Sequence, residues 1–538
     1  MKYIYRINEI KTEIDFSVDE LARKAEKKSG LKPGDLGPEE SPGRKGIFVI
    51  RRQSVDARDK SHIHYVFALD ITTDSPLRRF DRKKVRQITG EGLPDVKPGN
   101  EKLRERPVIA GFGPCGIFCA LRLARAGYKP VVIERGSAMD KRIADVGAFH
   151  REGCLDPESN VLFGEGGAGT FSDGKLNSGI SDGHVRQVLE TFRDAGADPD
   201  ITYRNKPHIG TDVLRKVVVN LREKIISLGG EIRFDTRLTD IVVENGRLSA
   251  VKVQNKEGET LEIPATVLVL AIGHSARDTF KMARDRGLPM EQKPFSIGVR
   301  MEHPQEMIDR SQYGEERRLP PADYKLSYKA SNGRGVYSFC MCPGGQVISC
   351  ASEPGMLCVN GMSNRKRDSG TANSGILCDV RTEDFGSDDV LAGVEFQRKY
   401  ERLCFQNGGG NYKPPKSTMK EFLENTGDGS VVINTLPEFA ADAIREAVPF
   451  FAKKIKGYDR DDGVVTAVET RSSSPVRILR DKSMESQVGG IYPAGEGAGY
   501  AGGITSAACD GIKVAEKIIA RYHLVTNEEV LKEKYQAL

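Results

Sequence analysis

The run RPVIAGFGPCGIFCALRLARAG, closed by PVVIERG, constrains this chain more than any other stretch. A short apolar strand enters GFGPCG, Gly111 to Gly116, and a helix leaves it with Ile117, Ala120, Leu121 and Ala124 on one face. A second strand then ends in Glu134, about 20 residues on. Each part has a task. Gly111 makes the tight turn, Gly113 lets the backbone approach a pyrophosphate, and Gly116 lets helix and strand pack closely. The helix N-terminus, with Pro114 and Cys115 in its first turn, offers unpaired N–H groups to phosphates. Glu134 can accept from a ribose diol, and its charge repels a 2′-phosphate, which disfavours NADP here and leaves FAD or NAD.

Two further stretches match G-x-G-x-x-G. GEGGAG, Gly164 to Gly169, is followed by TFSDGKLNSG, where no 3.6-residue apolar period begins. It reads as a loop wrapping an extended cofactor through Gly166, Gly167, Thr170, Ser172, Lys175 and backbone amides. GAGYAG, Gly497 to Gly502, stands between the strand GIYPAGE and a helix with Ile504, Ala508, Ala515, Ile518 and Tyr522 near one stripe. Too little chain follows for a second dinucleotide unit, so this segment reads as the last strand and helix of the first. A site assembled from such distant segments favours FAD, the longer molecule, over NAD. One site is real, and the other two motifs complete it.

The chain has 538 residues, too many for one core. Residues 1–100 read as a small α+β module: a strand IYRINEI, a helix VDELARKAEKK, and strands GIFVIRRQSVDA and HIHYVFALDITT. The run RRFDRKKVR reads as a solvated basic face, with RNA or an acidic partner as the alternative, and EGLPDVKPGNEKLRER as a linker. Residues 101–290 read as the first part of the dinucleotide domain, including a meander in GEIRFDTRLTDIVVENGRLSAVKVQNKEGETLEI and a buried strand in ATVLVLAIG. Residues 291–485 read as an inserted α+β cap or substrate domain, where FSIGVRMEH alternates with Phe295, Ile297, Val299 and Met301 on one face. Residues 486–538 return to the dinucleotide domain. The fold class is therefore α/β, with a Rossmann-type domain, a β-meander, the cap and the N-terminal module.

Lys plus Arg number 81 and Asp plus Glu 76, a net charge of +5, so charge gives no global argument for nucleic acid or membrane. The first residues lack an apolar leader, and no aliphatic run approaches a membrane span, which points to a cytoplasmic protein. Ten cysteines show no zinc spacing, so no metal is expected and the thiols read as reduced and mostly buried. Cys340 and Cys342 in VYSFCMCPGGQVISC fall on one face of a strand that Gly344-Gly345 turns back on its partner. Their alpha carbons would stand roughly 6.5–7 Å apart, at or beyond the reach of a disulfide.

VIAGFGPCG with VIERG, NVLFGEGGAGTFSDGKL, ATVLVLAIGHSA, FCMCPGG, NGMSNRKRDSGTANSG and GIYPAGEGAGYAGGITSAACDGIKVA together resemble the bacterial FAD-dependent dehydrogenases. Many of these carry only the label NAD(FAD)-utilising dehydrogenase, and their broader fold is shared with fumarate reductases and glutathione reductases. The resemblance implies FAD held at Gly111, Gly113, Pro114, Cys115 and Gly116 along the pyrophosphate, and at Glu134 beside Arg135 on the adenosine ribose. It implies Leu238 at the adenine, Ala271, Ile272 and Gly273 at a strand-end turn, and Gly495, Glu496, Gly502, Gly503 and Ile504 in the final loop. Glu496 stands where relatives hold a ribityl hydroxyl with Asp. No second nucleotide domain is visible, so NAD(P)H as external electron donor would bind without one.

The flavin carries the hydride or electrons, leaving the protein to position substrate and supply an acid or base. Candidates are Arg300, for a carboxylate substrate or a salt bridge with Glu302 or another acid; His303, a turn residue or proton donor; Lys175; His274; and the Asn360 loop. The leading expectation is an FAD-dependent oxidoreductase acting on a small, anionic molecule. The alternatives are a flavoprotein reading RNA or a protein through its basic module, and a flavin redox sensor without turnover. Substrate, electron partner and oligomeric state have no sequence signature here.

Overall fold

Three short strands, apolar on both faces, make the centre of the molecule. In the computed structural model, which describes residues 2–38, 46–78, 80–89 and 95–524, Val108–Ala110, Val131–Ile133 and Leu268–Leu270 are buried throughout. With Glu231–Arg233 and Ile491–Pro493 they form a parallel sheet, ordered 491–493, 268–270, 108–110, 131–133, 231–233. The winding reverses between 108–110 and 268–270, which opens a crevice at the carboxyl ends of those two strands.

Side chains alternate across this sheet. Ile109, Val132, Val269 and Tyr492 pack with helices Pro114–Arg125 and Ile504–Arg521. Val108, Ala110, Ile133, Leu268 and Leu270 pack instead with Leu238, Ile241 and Val251 of a meander, strands Thr236–Glu244, Arg247–Asn255 and Thr260–Pro264. GEIRFD, which the sequence assigns to the meander, supplies Glu231–Arg233 to the edge of the parallel sheet, paired with Val131–Ile133.

The chain enters and leaves the cap through one two-stranded neck, Met290–Gln292 against Val476–Ile478. The cap holds a six-stranded antiparallel sheet, ordered 327–329, 335–342, 371–380, 295–304, 464–469, 416–418, with helices Ala392–Asn407 and Glu438–Ala452 in its core. Both faces of strand Phe295–Pro304 are buried from Phe295 to Met301, and the hairpin Gly345–Cys350 with Cys358–Ser363 lies near it. One expectation fails here. The Gly344-Gly345 turn does not fold Gly335–Cys342 back on a neighbour. It passes the chain to that separate hairpin, while Gly335–Cys342 pairs with Thr371–Val380.

The N-terminal module is a five-stranded sheet, ordered 36–38, 46–56, 64–73, 3–12, 85–88, with helix Val18–Ser29 set against it. Two of its strands, Leu36–Pro38 and Val85–Ile88, lie where sequence periodicity is too short to register. The basic run therefore contributes a strand whose Val85 is buried, while Lys84 pairs with Glu9 at 3.0 Å; Arg79 of that run and residues 91–94 of the linker lie outside the described residues. The linker's end is also structured. Glu101–Leu103 pairs in parallel with Tyr522–Leu524 beyond the last helix, and Tyr128 Oη donates to the Tyr522 carbonyl at 2.6 Å.

Candidate functional site

The crevice is the mouth of a cleft of about 660 Å³, well within the range of small-molecule and cofactor sites. Two helices begin at its wall. Pro114–Arg125 starts after Gly113 and Ile504–Arg521 after Gly503, and neither N-cap has a side-chain hydrogen bond. The first-turn N–H groups and about half a positive charge per helix end are thus left for an anion. A Cβ at Gly111, whose φ is +105°, would lie 2.3 Å from the Ala271 carbonyl oxygen. The GEGGAG loop closes on the same turn: a Cβ at Gly167 would lie 3.0 Å from the Gly113 alpha carbon. Only a short 3₁₀ turn, Ala168–Phe171, follows that loop. Around Gly273, Gly502 and Gly503 there is open space out to 4 Å. An uncapped, glycine-lined cradle of this kind fits a diphosphate with an extended body on either side.

Glu134 lines the cleft, but its carboxylate is already heavily used. Oε2 accepts from Phe112 N–H at 2.8 Å, and Oε1 from Gly136 and Gly164 N–H at 2.9 Å each. It pins the two glycine loops together, leaving about one acceptor direction of four for a ribose. Arg135 lies over the Phe163 ring at 4.2 Å and pairs with Glu158 and Asp278. Of the other sequence-derived positions, Gly111, Gly113, Pro114, Cys115, Gly167, Ser172, Lys175, Leu238, Ala271, Ile272, Gly273, Glu496, Gly502, Gly503 and Ile504 line the cleft.

Four do not, each for a packing reason. A Cβ at Gly116 would meet the Gly111 carbonyl at 1.9 Å, and one at Gly166 the Thr170 hydroxyl at 2.1 Å. Thr170 is fully buried, and its carbonyl accepts from Thr211 Oγ1 at 2.6 Å. Gly495 presses on the Cys115 side chain and donates its N–H to Asp510 at 2.7 Å. All four stand behind the wall and shape it.

Two of the three proposed catalytic side chains also lie outside the cleft. Arg300 is fully buried and bonded to Glu469 (2.7 Å), the Cys340 carbonyl (2.9 Å), Asn373 and Asn360 (3.1 Å each). Its acid is Glu469 rather than Glu302, and the side chain does not line the cleft where a substrate would lie. His303 is buried with Nε2 at 2.7 Å from the Tyr458 carbonyl, and burial lowers its pKa to about 4. It is a structural residue.

Lys175 does line the cleft, with Nζ 3.4 Å from Asp173. Burial opposes its charge, but Cys340, Cys342 and Asp173 raise its pKa, so it stays protonated. Across from it His274 is lowered to about 3 by burial and by the Arg471 and Arg277 charges. Glu496, 3.8 Å from His274, is pushed up to about 7 by burial.

The cap contributes Phe339, Cys340, Asn360, Glu469, Arg471 and Ser472 to the wall. Glu469 and Arg471 escaped sequence reasoning. Their one signal is an apolar strand, VVTAV, that ends abruptly in Glu-Thr-Arg. Arg471 is fixed from behind: Nε and Nη2 donate to Glu401 at 3.0 and 2.9 Å, and Arg277 donates to the same carboxylate at 2.8 and 2.9 Å. All ten cysteines are free thiols. Among the described residues no cluster could hold a metal ion, and no helix is long and apolar enough to cross a membrane.

Residues 294–472 match the family model for the FAD-dependent protein, C-terminal domain-like. Over 542 aligned residues the chain is 45% identical to an uncharacterized protein of Clostridium beijerinckii, spanning 96% of this chain and 99% of that one. Solved structures overlap it in part. A geranylgeranyl bacteriochlorophyll reductase-like protein from Thermoplasma acidophilum is 14% identical, with 81% of this chain and 83% of that one covered and a TM-score of 0.36. A mutant of the E. coli quinol fumarate reductase FrdA is 13% identical, with coverage of 81% and 74% and a TM-score of 0.34. The L-proline dehydrogenase of P. horikoshii is 15% identical, with coverage of 77% and 94% and a TM-score of 0.33.

Proposed function

We propose that the cleft holds FAD and that the protein is an oxidoreductase acting on a small molecule admitted at the cap end; the match of residues 294–472 to a domain of FAD-dependent proteins supports this reading. The observation that carries this reading is the convergence of two uncapped helix N-termini on one glycine-lined turn, with a cap wall closing the far end. Bound FAD supplies hydride or single-electron transfer. The chain's own residues bind and orient. Backbone N–H groups after Gly113 and Gly503 hold the diphosphate, Thr236–Leu238 flank the adenosine end, and Glu134 keeps the two glycine loops in register.

At the other end His274 is held neutral, and Glu496 is protonated through most of the acidic range. Lys175 supplies a positive donor suited to an anionic group on the substrate. Arg471 reaches the same wall but is committed to Glu401, which makes it a fixed positive field rather than a mobile clamp.

The test is the visible spectrum of the purified protein, followed anaerobically by NADH and then NADPH. A yellow protein whose flavin band bleaches has a nicotinamide donor. One that stays oxidised takes its electrons from substrate or a protein. A colourless protein that takes up no FAD on incubation refutes the reading.

A further inference from the structure

The cap wall carries a pair of thiols that the function above leaves unused. Strand Gly335–Cys342 runs in register with Thr371–Val380 as far as Phe339 opposite Gly375. It then skips, so that Cys342 rather than Met341 faces Asn373. The extra residue makes a β-bulge, and Cys340 within it takes a left-handed φ of 42°. Bulges re-aim side chains beside active sites. Here Cys340 lines the cleft while Cys342 is fully buried.

The two sulfurs nevertheless converge on one cation. Lys175 Nζ, from the glycine-rich loop of the other lobe, lies 3.9 Å from Cys340 Sγ and 3.7 Å from Cys342 Sγ. Cys342 Sγ approaches the Cys340 carbonyl at 3.2 Å, and Arg300 Nη1 donates to that carbonyl at 2.9 Å. A Cβ at Gly361 would lie 2.9 Å from Cys342 Sγ, so the room for this sulfur depends on glycine. The other charges nearby are matched in pairs, Asp173 with Arg367 at 2.6 Å and Glu469 with Arg300.

We propose that Cys340 and Cys342 are a redox-active dithiol and that the substrate class of the cleft is a small disulfide, attacked by Cys340 and released by Cys342. The Cys340 thiolate attacks one substrate sulfur; a mixed disulfide forms, the substrate S–S bond breaks, and the first thiolate leaves and takes a proton from water. Cys342 then gives up its proton and attacks the Cys340 sulfur. The Cys340–Cys342 bond forms, and the second thiolate leaves with the proton Cys342 gave up. The dithiol has lost two electrons and the substrate has gained them. Reopening the protein disulfide takes two electrons and a proton, and for this step alone the proposal rests on the FAD reading, with reduced FAD as the source.

The division of labour follows from exposure and from charge. The Cys342 contact, opposed by burial and supported by Lys175 and Arg300, holds the Cys340 thiol well below the ordinary range. That contact together with burial pushes Cys342 up. A low-pKa accessible sulfur beside a protonated buried one is the pairing that attack followed by resolution requires.

The experiment reads mass, not turnover. Reduced holoprotein, freed of reductant, is exposed to glutathione disulfide, and the intact protein and the peptide containing residues 335–342 are weighed. That peptide is expected to become lighter by a pair of hydrogen atoms. Cys342→Ser should trap a glutathionyl group on Cys340, and Cys340→Ser should trap none there. Lys175→Met should slow trapping by about tenfold or more at neutral pH and move the alkylation of Cys340 to higher pH. Modification confined to the exposed Cys154, or a 335–342 peptide that stays reduced, overturns the proposal. Trapping without any FAD uptake would sink the proposed function and leave the dithiol standing; FAD uptake with Cys340 untouched would do the reverse.

Discussion

Glu401 is a single carboxylate on which two lobes depend, and Glu401→Gln measures how much. Its oxygens accept five hydrogen bonds: two from Arg277, two from Arg471 and one from Thr470 Oγ1 at 2.7 Å. The carboxylate is fully buried, while Arg277 is 4% exposed and the Arg471 side chain 6%. Arg277 begins the helix that follows the Ala271–Gly273 turn, and Arg471 lines the cleft from the cap, so the carboxylate bolts one to the other. After the substitution Arg277 keeps Glu353 at 2.5 Å, but Arg471 keeps only a neutral partner, Ser352 Oγ at 2.9 Å.

Removing one member of a buried pair costs about 3–5 kcal/mol, because a charge is left uncompensated. Unfolding entropy is about 2.1 cal/mol/K per residue, so a cooperative unit of roughly 400 residues should lose about 4–6 °C of melting temperature. Thermal melts by circular dichroism are the assay, with Glu401→Gln/Arg471→Met as control; removing the orphaned guanidinium should recover at least half of the loss. A Glu401→Gln melt within a degree or so of wild type, or a double variant no better than the single, would refute the argument. The pH dependence must agree. Burial pushes the Glu401 carboxyl up, but Arg277 and Arg471 outweigh it and hold it far below its ordinary 4.5. The stabilisation is therefore complete above 4.5 and is lost as pH falls through the folded value.

Gly111→Ala should yield protein without flavin, because its Cβ must displace the Ala271 carbonyl from a backbone conformation only glycine holds easily; a variant with a full flavin band argues against this turn as the diphosphate site. Glu496→Gln should flatten the fall in stability between pH 4.5 and about 7. In that window the folded chain keeps a proton that the unfolded chain releases, so stability drops as pH rises. Melts across the window that keep their slope in the variant would show that Glu496 is ionised throughout.

The parallel sheet and its crevice were legible because each glycine of GFGPCG answers to a local steric demand and the flanking strands are apolar on both faces. The last helix was legible from its stripe, since Ile504, Ala508, Ala515 and Ile518 are all buried. The cap was legible only in part. The sequence offered Arg300 as a substrate clamp or as half of a salt bridge, and the salt bridge is what forms, but its acid, Glu469, stands 169 residues on, where no spacing rule reaches. Cys340 and Cys342 were noticed, but strict alternation cannot foresee a bulge, and no spacing rule links them to Lys175 across 165 residues. Glu134 shows the subtler failure: the motif located it, and only geometry shows that three backbone N–H groups already occupy it.

The parallel sheet closes with Ile491–Pro493, and the cleft's second helix begins at Ile504, both beyond the whole inserted cap. On a ribosome the first four strands of the sheet emerge and then wait. Roughly 220 residues separate Leu270 from Ile491, which at 5–20 residues per second is on the order of ten to forty seconds. Throughout that interval Leu268–Leu270 is an apolar edge with an unpaired ladder, and one half of the diphosphate cradle does not exist. On the proposed function, flavin capture belongs to the end of synthesis, and until then the nascent chain depends on the cap folding promptly and on whatever shields that edge.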